Sequence, residues 1–82
     1  MTVKRSLSIR GHRTSITLEE PFWRHLGHLA EERGTSVASL VAEMDAARDP
    51  DVNLSSAIRV ALFETVLSRL DEVAGSRADP NA

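Results

Sequence analysis

Eighty-two residues with no cysteine and a formal net charge of −2 make one domain and exclude a disulfide-stapled one. A chain this short buries little surface by itself, so sharing a core with a second copy is the expected route to stability. No apolar run approaches the roughly 20 residues of a membrane span, and no apolar stretch of signal-peptide type follows Met1-Thr2-Val3-Lys4-Arg5; the expected location is the cytoplasm, at the nucleoid, with no membrane partner.

The N-terminal stretch is basic. Residues 1–18 hold Lys4, Arg5, Arg10 and Arg13 and no acid (+4), whereas residues 19–82 hold six arginines and twelve acids (−6). A basic arm on an acidic body points to a polyanionic partner, because the local field steers at short range and salt screens the rest beyond about 8 Å. In a homodimer two such arms would lie on one face.

Within that stretch, Arg13-Thr-Ser-Ile-Thr-Leu18 alternates. Thr14, Ile16 and Leu18 fall on an apolar side, and Arg13, Ser15 and Thr17 on a polar one, the pattern of a half-buried strand. Ser6-Leu7-Ser8-Ile9-Arg10 alternates in the same way, with Leu7 and Ile9 on one side. Gly11-His12 lies between the two runs as a turn or a bulge. A six-residue strand needs a partner for its backbone. Residues 6–10 are one candidate, and the same strand of a second subunit is the other, pairing about a two-fold axis.

Pro21 suits a first helical turn and Glu19-Glu20 favour its dipole. Phe22, Leu26, Leu29 and Ala30 then recur at helical spacing up to Arg33-Gly34, predicting a helix over 21–33. Thr35 or Ser36 caps a second helix over 36–47, with Val37, Leu40, Val41, Met44 and Ala47 as its stripe. Pro50 stops it. Asn53 or Ser55 caps a third helix, which Leu54, Ile58, Ala61, Leu62, Val66, Leu67 and Leu70 carry to about residue 73. Its apolar stripe, Phe63 included, is expected to close a dimer core. Gly75 is expected to end this helix, and Gly27 to mark a close helix crossing. The expected organisation is an arm or extra strand over 1–12, a domain over 13–74 and a flexible tail over 75–82.

Strand, helix, glycine turn and capped helix follow one another in an order that resembles the ribbon-helix-helix family of DNA-binding proteins. The resemblance rests on Arg-Thr-Ser-Ile-Thr-Leu, Leu-Ala-Glu-Glu-Arg-Gly and Thr-Ser-Val-Ala-Ser-Leu-Val, over Arg13 to about Ala47. A longer pattern over roughly residues 3–65, from Lys-Arg-Ser-Leu-Ser-Ile-Arg-Gly-His through Phe-Trp to Asn-Leu-Ser-Ser-Ala-Ile-Arg-Val, is similar to a bacterial subfamily of ribbon-helix-helix domain proteins. The resemblance implies a mostly α fold with one N-terminal strand per chain and an intermolecular two-stranded antiparallel ribbon. A third helix is added here.

It further implies a homodimer that regulates transcription by placing the ribbon in the major groove of double-stranded DNA. Base contacts would fall on Arg13, Ser15 and Thr17, and Arg13 suits bidentate bonding to guanine. Phosphate contacts would fall on the start of the second helix at Thr35, Ser36 and Val37, where exposed N–H groups attract an anion, with Lys4, Arg5 and Arg10 adding charge. Asn53-Leu-Ser-Ser-Ala-Ile-Arg59 also looks like a second-helix opening. If residues 36–50 are an insertion, the phosphate contacts move to Ser55, Ser56 and Arg59.

The rival function is a protein-binding adaptor, or an antitoxin-like module, on the same dimer fold. Catalysis is not expected. His12, His25 and His28 do not make a set of metal ligands, Glu31-Glu32 and Asp49/Asp51 read as solvated charges, Ser55-Ser56 has no base in its motif, and no glycine-rich phosphate loop is present. No cofactor or metal is therefore expected.

Overall fold

The computed structural model describes residues 1–77, as β1 (Thr2–Ile9), β2 (His12–Glu19), α1 (Glu20–Glu32), α2 (Val37–Ala47) and α3 (Leu54–Arg77). Two strands are present where one was expected, and they pair within the chain. β1 and β2 form an antiparallel hairpin with Val3 opposite Leu18, Lys4 opposite Thr17, Ser6 opposite Ser15, Ser8 opposite Arg13 and Ile9 opposite His12.

The turn that joins the strands is Arg10-Gly11, not Gly11-His12, and both of its residues have positive φ, 52° and 82°. That is what a two-residue turn matched to strand twist requires. Gly11 takes this conformation freely and Arg10 does not, which is why the sequence carries no familiar turn signal. The Arg10 guanidinium donates to the Ala42 carbonyl of α2 at 3.3 Å, tying the turn to the body.

Pro21 opens α1 and Glu20 lies in its first turn. The helix buries Trp23, Leu26, Leu29 and Ala30. It ends in a left-handed glycine motif: Gly34 has φ 66°, its N–H donates to Glu31 O at 3.1 Å, and Thr35 N–H donates to Ala30 O at 2.9 Å. Ser36 caps α2 by accepting from Ser39 N–H at 3.0 Å. Arg48 ties the following loop down, donating to Asp45 at 3.0 Å and to Val52 O at 2.8 Å. Asn53 caps α3 by accepting from Ser56 N–H at 2.9 Å.

Two expectations about glycines are corrected. α3 runs through Gly75 instead of stopping at about residue 73; glycine terminates a helix only where the chain swings to positive φ, and Gly75 does not. The expected tail begins at residue 75, but 75–77 are helical, and 78–82 lie outside the described residues. At Gly27 a Cβ would meet nothing within 4 Å, so no close helix crossing explains it.

The helices pack on one face of the hairpin: α2 against β1, α3 against β2, and α1 against β2 and both other helices. The core joins Ile9, Ile16 and Leu18 from the sheet to Trp23, Leu26, Leu29, Leu40, Val41, Ile58 and Leu62 from the helices. Burying each such side chain contributes about 1.5–3 kcal/mol. Trp23 reaches the first strand, its indole N–H donating to Val3 O at 2.8 Å. Among the described residues no helix is long and apolar enough to cross a membrane.

Candidate nucleic-acid interface

Successive strand residues point to opposite faces, and the register sorts the hairpin into two surfaces. Val3, Leu7 and Ile9 share the helix-bearing face with Thr14, Ile16 and Leu18; Ile16 and Leu18 are buried. The opposite face carries Lys4, Ser6 and Ser8 from β1 and Arg13, Ser15 and Thr17 from β2, all six exposed. This face has no acid between Lys4 and Thr17. Ser6 and Ser15 stand side by side across the ladder, their hydroxyls 3.4 Å apart.

Arg13, Ser15 and Thr17 are thus brought together in a row, and Lys4 lies directly opposite Thr17. Arg5 belongs to the other face: opposite Ile16, its guanidinium sits 5.1 Å from the centre of the Trp23 ring. Arg10 is at the turn, bonded to Ala42.

The two helix starts differ in their relation to the hairpin. No hydrogen bond among the described residues joins Thr35, Ser36 or Val37 to either strand; the Thr35 N–H is already spent on Ala30. α3, by contrast, begins beside the turn. Leu54 lines a small cavity with Ile9, Arg10, His12 and Thr14. One helical stretch later, Arg59 donates to Glu19 at 2.8 Å and to the Thr17 carbonyl at 3.4 Å.

Sequence reasoning missed two kinds of residue here. Ser6 and Ser8 alternate visibly with Leu7 and Ile9, but their place beside Ser15 and Arg13 depends on a turn that composition does not announce. Arg59 lies forty positions from Glu19, and no local signal joins them.

Among the described residues no group of three or more His, Cys, Asp or Glu side chains could hold a metal ion. An open groove of about 470 Å³ lies between α2 and α3, lined in part by Leu40, Met44, Val60 and Ala61.

A two-stranded antiparallel ribbon, its polar face exposed and without an acid from Lys4 to Thr17, is laid by its apolar face on a set of helices. The Ribbon-helix-helix domain model matches residues 2–66, and the chain belongs to that family. Ribbon-helix-helix proteins are in general DNA-binding regulators of transcription that act as dimers and not as enzymes. No curated protein and no solved structure matches the chain.

Proposed function

We propose that this protein is a homodimeric, sequence-specific regulator of transcription. It binds double-stranded DNA at the nucleoid through the polar face of its ribbon. The observation that carries this reading is the exposed row Arg13, Ser15, Thr17, on a strand face that meets no acid before Glu19 at its end. Arg13 bonds guanine O6 and N7, and the two hydroxyls bond either base type at close range.

Dimerisation through β2 has a backbone rationale. In a two-residue hairpin the Ile9–His12 pair is hydrogen-bonded, so the N–H and C=O groups of Arg13, Ser15, Thr17 and Glu19 point away from β1. A second copy pairing there supplies partners for Arg13 and Ser15, the Thr17 carbonyl already accepting from Arg59, and yields a four-stranded sheet, β1-β2-β2-β1, with the two base-reading rows at its centre. The exposed stripe of α3, including Val60, Phe63, Leu67 and Leu70, gives a second copy an apolar surface to cover.

Phosphate contacts come from Lys4 and from a helix start. Thr35, Ser36 and Val37 are one candidate, and Ser55 and Ser56 are the other, the Arg59 guanidinium being held by Glu19 and the Thr17 carbonyl. The nearness of α3 to β2 favours the second.

Selection from a randomised duplex pool at two salt concentrations tests this reading. Enrichment of a two-fold symmetric motif by the wild type, lost in Arg13→Ala/Thr17→Ala, supports it; failure to bind any duplex at low salt rejects it. The protein-adaptor reading is favoured by the open apolar groove between α2 and α3. It would be supported by a stoichiometric protein partner whose binding survives Arg13→Ala and is lost on Met44→Glu.

A further inference from the structure

The sheet is wider than the groove it is built to read. Neighbouring strands lie about 4.7–4.9 Å apart, so in the four-stranded sheet just proposed the two β1 strands are about 14 Å from each other. The major groove of B-DNA is about 12 Å wide. The inner pair of β2 strands fits between the groove walls and the outer pair does not; it lies over them, where the phosphates are.

We propose that β1 is a dedicated phosphate-contacting strand, and that Ser6 and Ser8 bond the DNA backbone together with Lys4. This rests on the reading of the ribbon as a DNA-binding dimer and extends it to residues that the family's three-residue reading row leaves out.

The residues themselves are suited to the task. Lys4, Ser6 and Ser8 occupy alternate, exposed positions on the face that carries Arg13, Ser15 and Thr17. Their spacing along the strand is two residues, about 6.5–7 Å, close to the separation of successive phosphates on a DNA strand. Serine is short enough to let the β1 backbone come down onto the wall, and its hydroxyl donates to a phosphate oxygen. Lysine at the far end adds one compact charge. No acid on this strand opposes them. Their cross-strand order also matters: Ser8 lies beside Arg13, Ser6 beside Ser15 and Lys4 beside Thr17, so each phosphate contact braces one base-reading position. The Ser6–Ser15 hydroxyl contact at 3.4 Å is the one such bridge made within the protein itself.

The geometry makes a prediction that a groove-inserted β1 would not. Contacts to phosphate carry no sequence information, so losing them weakens every duplex equally.

Binding of the full chain to a selected duplex and to a random duplex is measured by fluorescence anisotropy across a salt series, for wild type, Lys4→Ala and Ser6→Ala/Ser8→Ala. Lys4→Ala should lower the slope of log K against log salt by about 1.8, two phosphates per dimer at about 0.9 each. The double serine variant should bind both duplexes on the order of tenfold more weakly, with an unchanged slope, since it loses neutral hydrogen bonds and no charge. Ser6→Asp/Ser8→Asp, which alters exposed positions only and is checked for folding by circular dichroism, should abolish binding to both.

Wild-type affinity in the serine variants overturns the proposal. So does a loss confined to the selected duplex, which would put β1 inside the groove as a base reader. A wild type that binds neither duplex rejects the DNA reading itself, and this inference with it.

Discussion

Arg59 of α3 holds Glu19 at the end of β2, Nε to Oε1, at 2.8 Å, and the same guanidinium reaches the Thr17 carbonyl on the outer edge of the strand. The long helix is thereby fastened to β2 at the point where that strand passes into α1. Phe22, the third residue of α1, lies beneath the guanidinium, 5.9 Å from ring centre to Cζ. An ion pair at a sheet edge also guards against indiscriminate strand pairing.

The hydrogen bond from Arg59 holds the Glu19 carboxyl below its ordinary value of 4.5. A carboxyl whose folded pKa is depressed stabilises the fold in full above its unfolded value, and the contribution fades as pH falls through the folded value. The pair is partly exposed, so its effect is small and sensitive to salt. Melting temperatures of wild type and Glu19→Gln should differ at neutral pH and converge as pH falls through the depressed folded value. A difference that persists once the carboxyl is fully protonated would show that Glu19 acts by packing and not by charge.

Arg13→Ala should cost about 1–3 kcal/mol on the selected duplex and relax preference at one base pair per half-site. Lys4→Ala, on the same face, should weaken all duplexes alike. Competition binding with single-base variants of the site separates the two, and an Arg13→Ala loss that is the same for selected and random DNA would remove Arg13 from base reading.

The hairpin turn constrains the chain more tightly than its surroundings. Gly11→Ala puts a Cβ on a residue with φ 82°, where space is open but the backbone is unfavourable, and should destabilise by roughly 1–2 kcal/mol. Arg10→Asn, at φ 52°, should be tolerated better, because asparagine accepts this region and the only loss is one exposed bond to Ala42. Urea unfolding of the two variants orders them, and the reverse order would mean that the Arg10–Ala42 bond outweighs the strain.

The elements most legible in the sequence are those whose signals are local. The period-two pattern of residues 13–18, Pro21, the Gly34 stop and the Ser36 cap all report on neighbours a few positions away, and the strand and helices form where they indicate. β1 was only half legible: Ser6-Leu7-Ser8-Ile9 alternates, but whether it pairs within the chain is decided by Arg10 accepting a positive φ, an unfavourable local choice compensated by tertiary contact with α2. The polar row Arg13, Ser15, Thr17 follows from alternation alone. That Arg5 turns away from Lys4 follows from the same alternation, yet a count of basic residues merges the two. The division of labour between α2 and α3 was not legible, because both begin with a capped, serine-rich turn, and only packing distinguishes the helix beside β2 from the one beside β1.

The same packing leaves α3 with an unfinished surface, and that surface bears on how the proposed dimer closes. Ile58 and Leu62 are buried against the hairpin and α1, whereas Val60, Phe63, Leu67 and Leu70 remain exposed. They recur at intervals of three, four and three residues, the spacing of a helix–helix seam. Phe63→Glu/Leu67→Glu alters only exposed side chains, so the protomer should keep its helical circular dichroism. Sedimentation should then show a monomer, and the wild type should sediment as a dimer. Affinity for a two-half-site duplex should fall toward that for a single half-site, because the second half-site is no longer bound from within the same particle. A double variant that remains dimeric and binds as the wild type does would assign dimerisation to the β2 edge alone and leave the α3 stripe to a different partner.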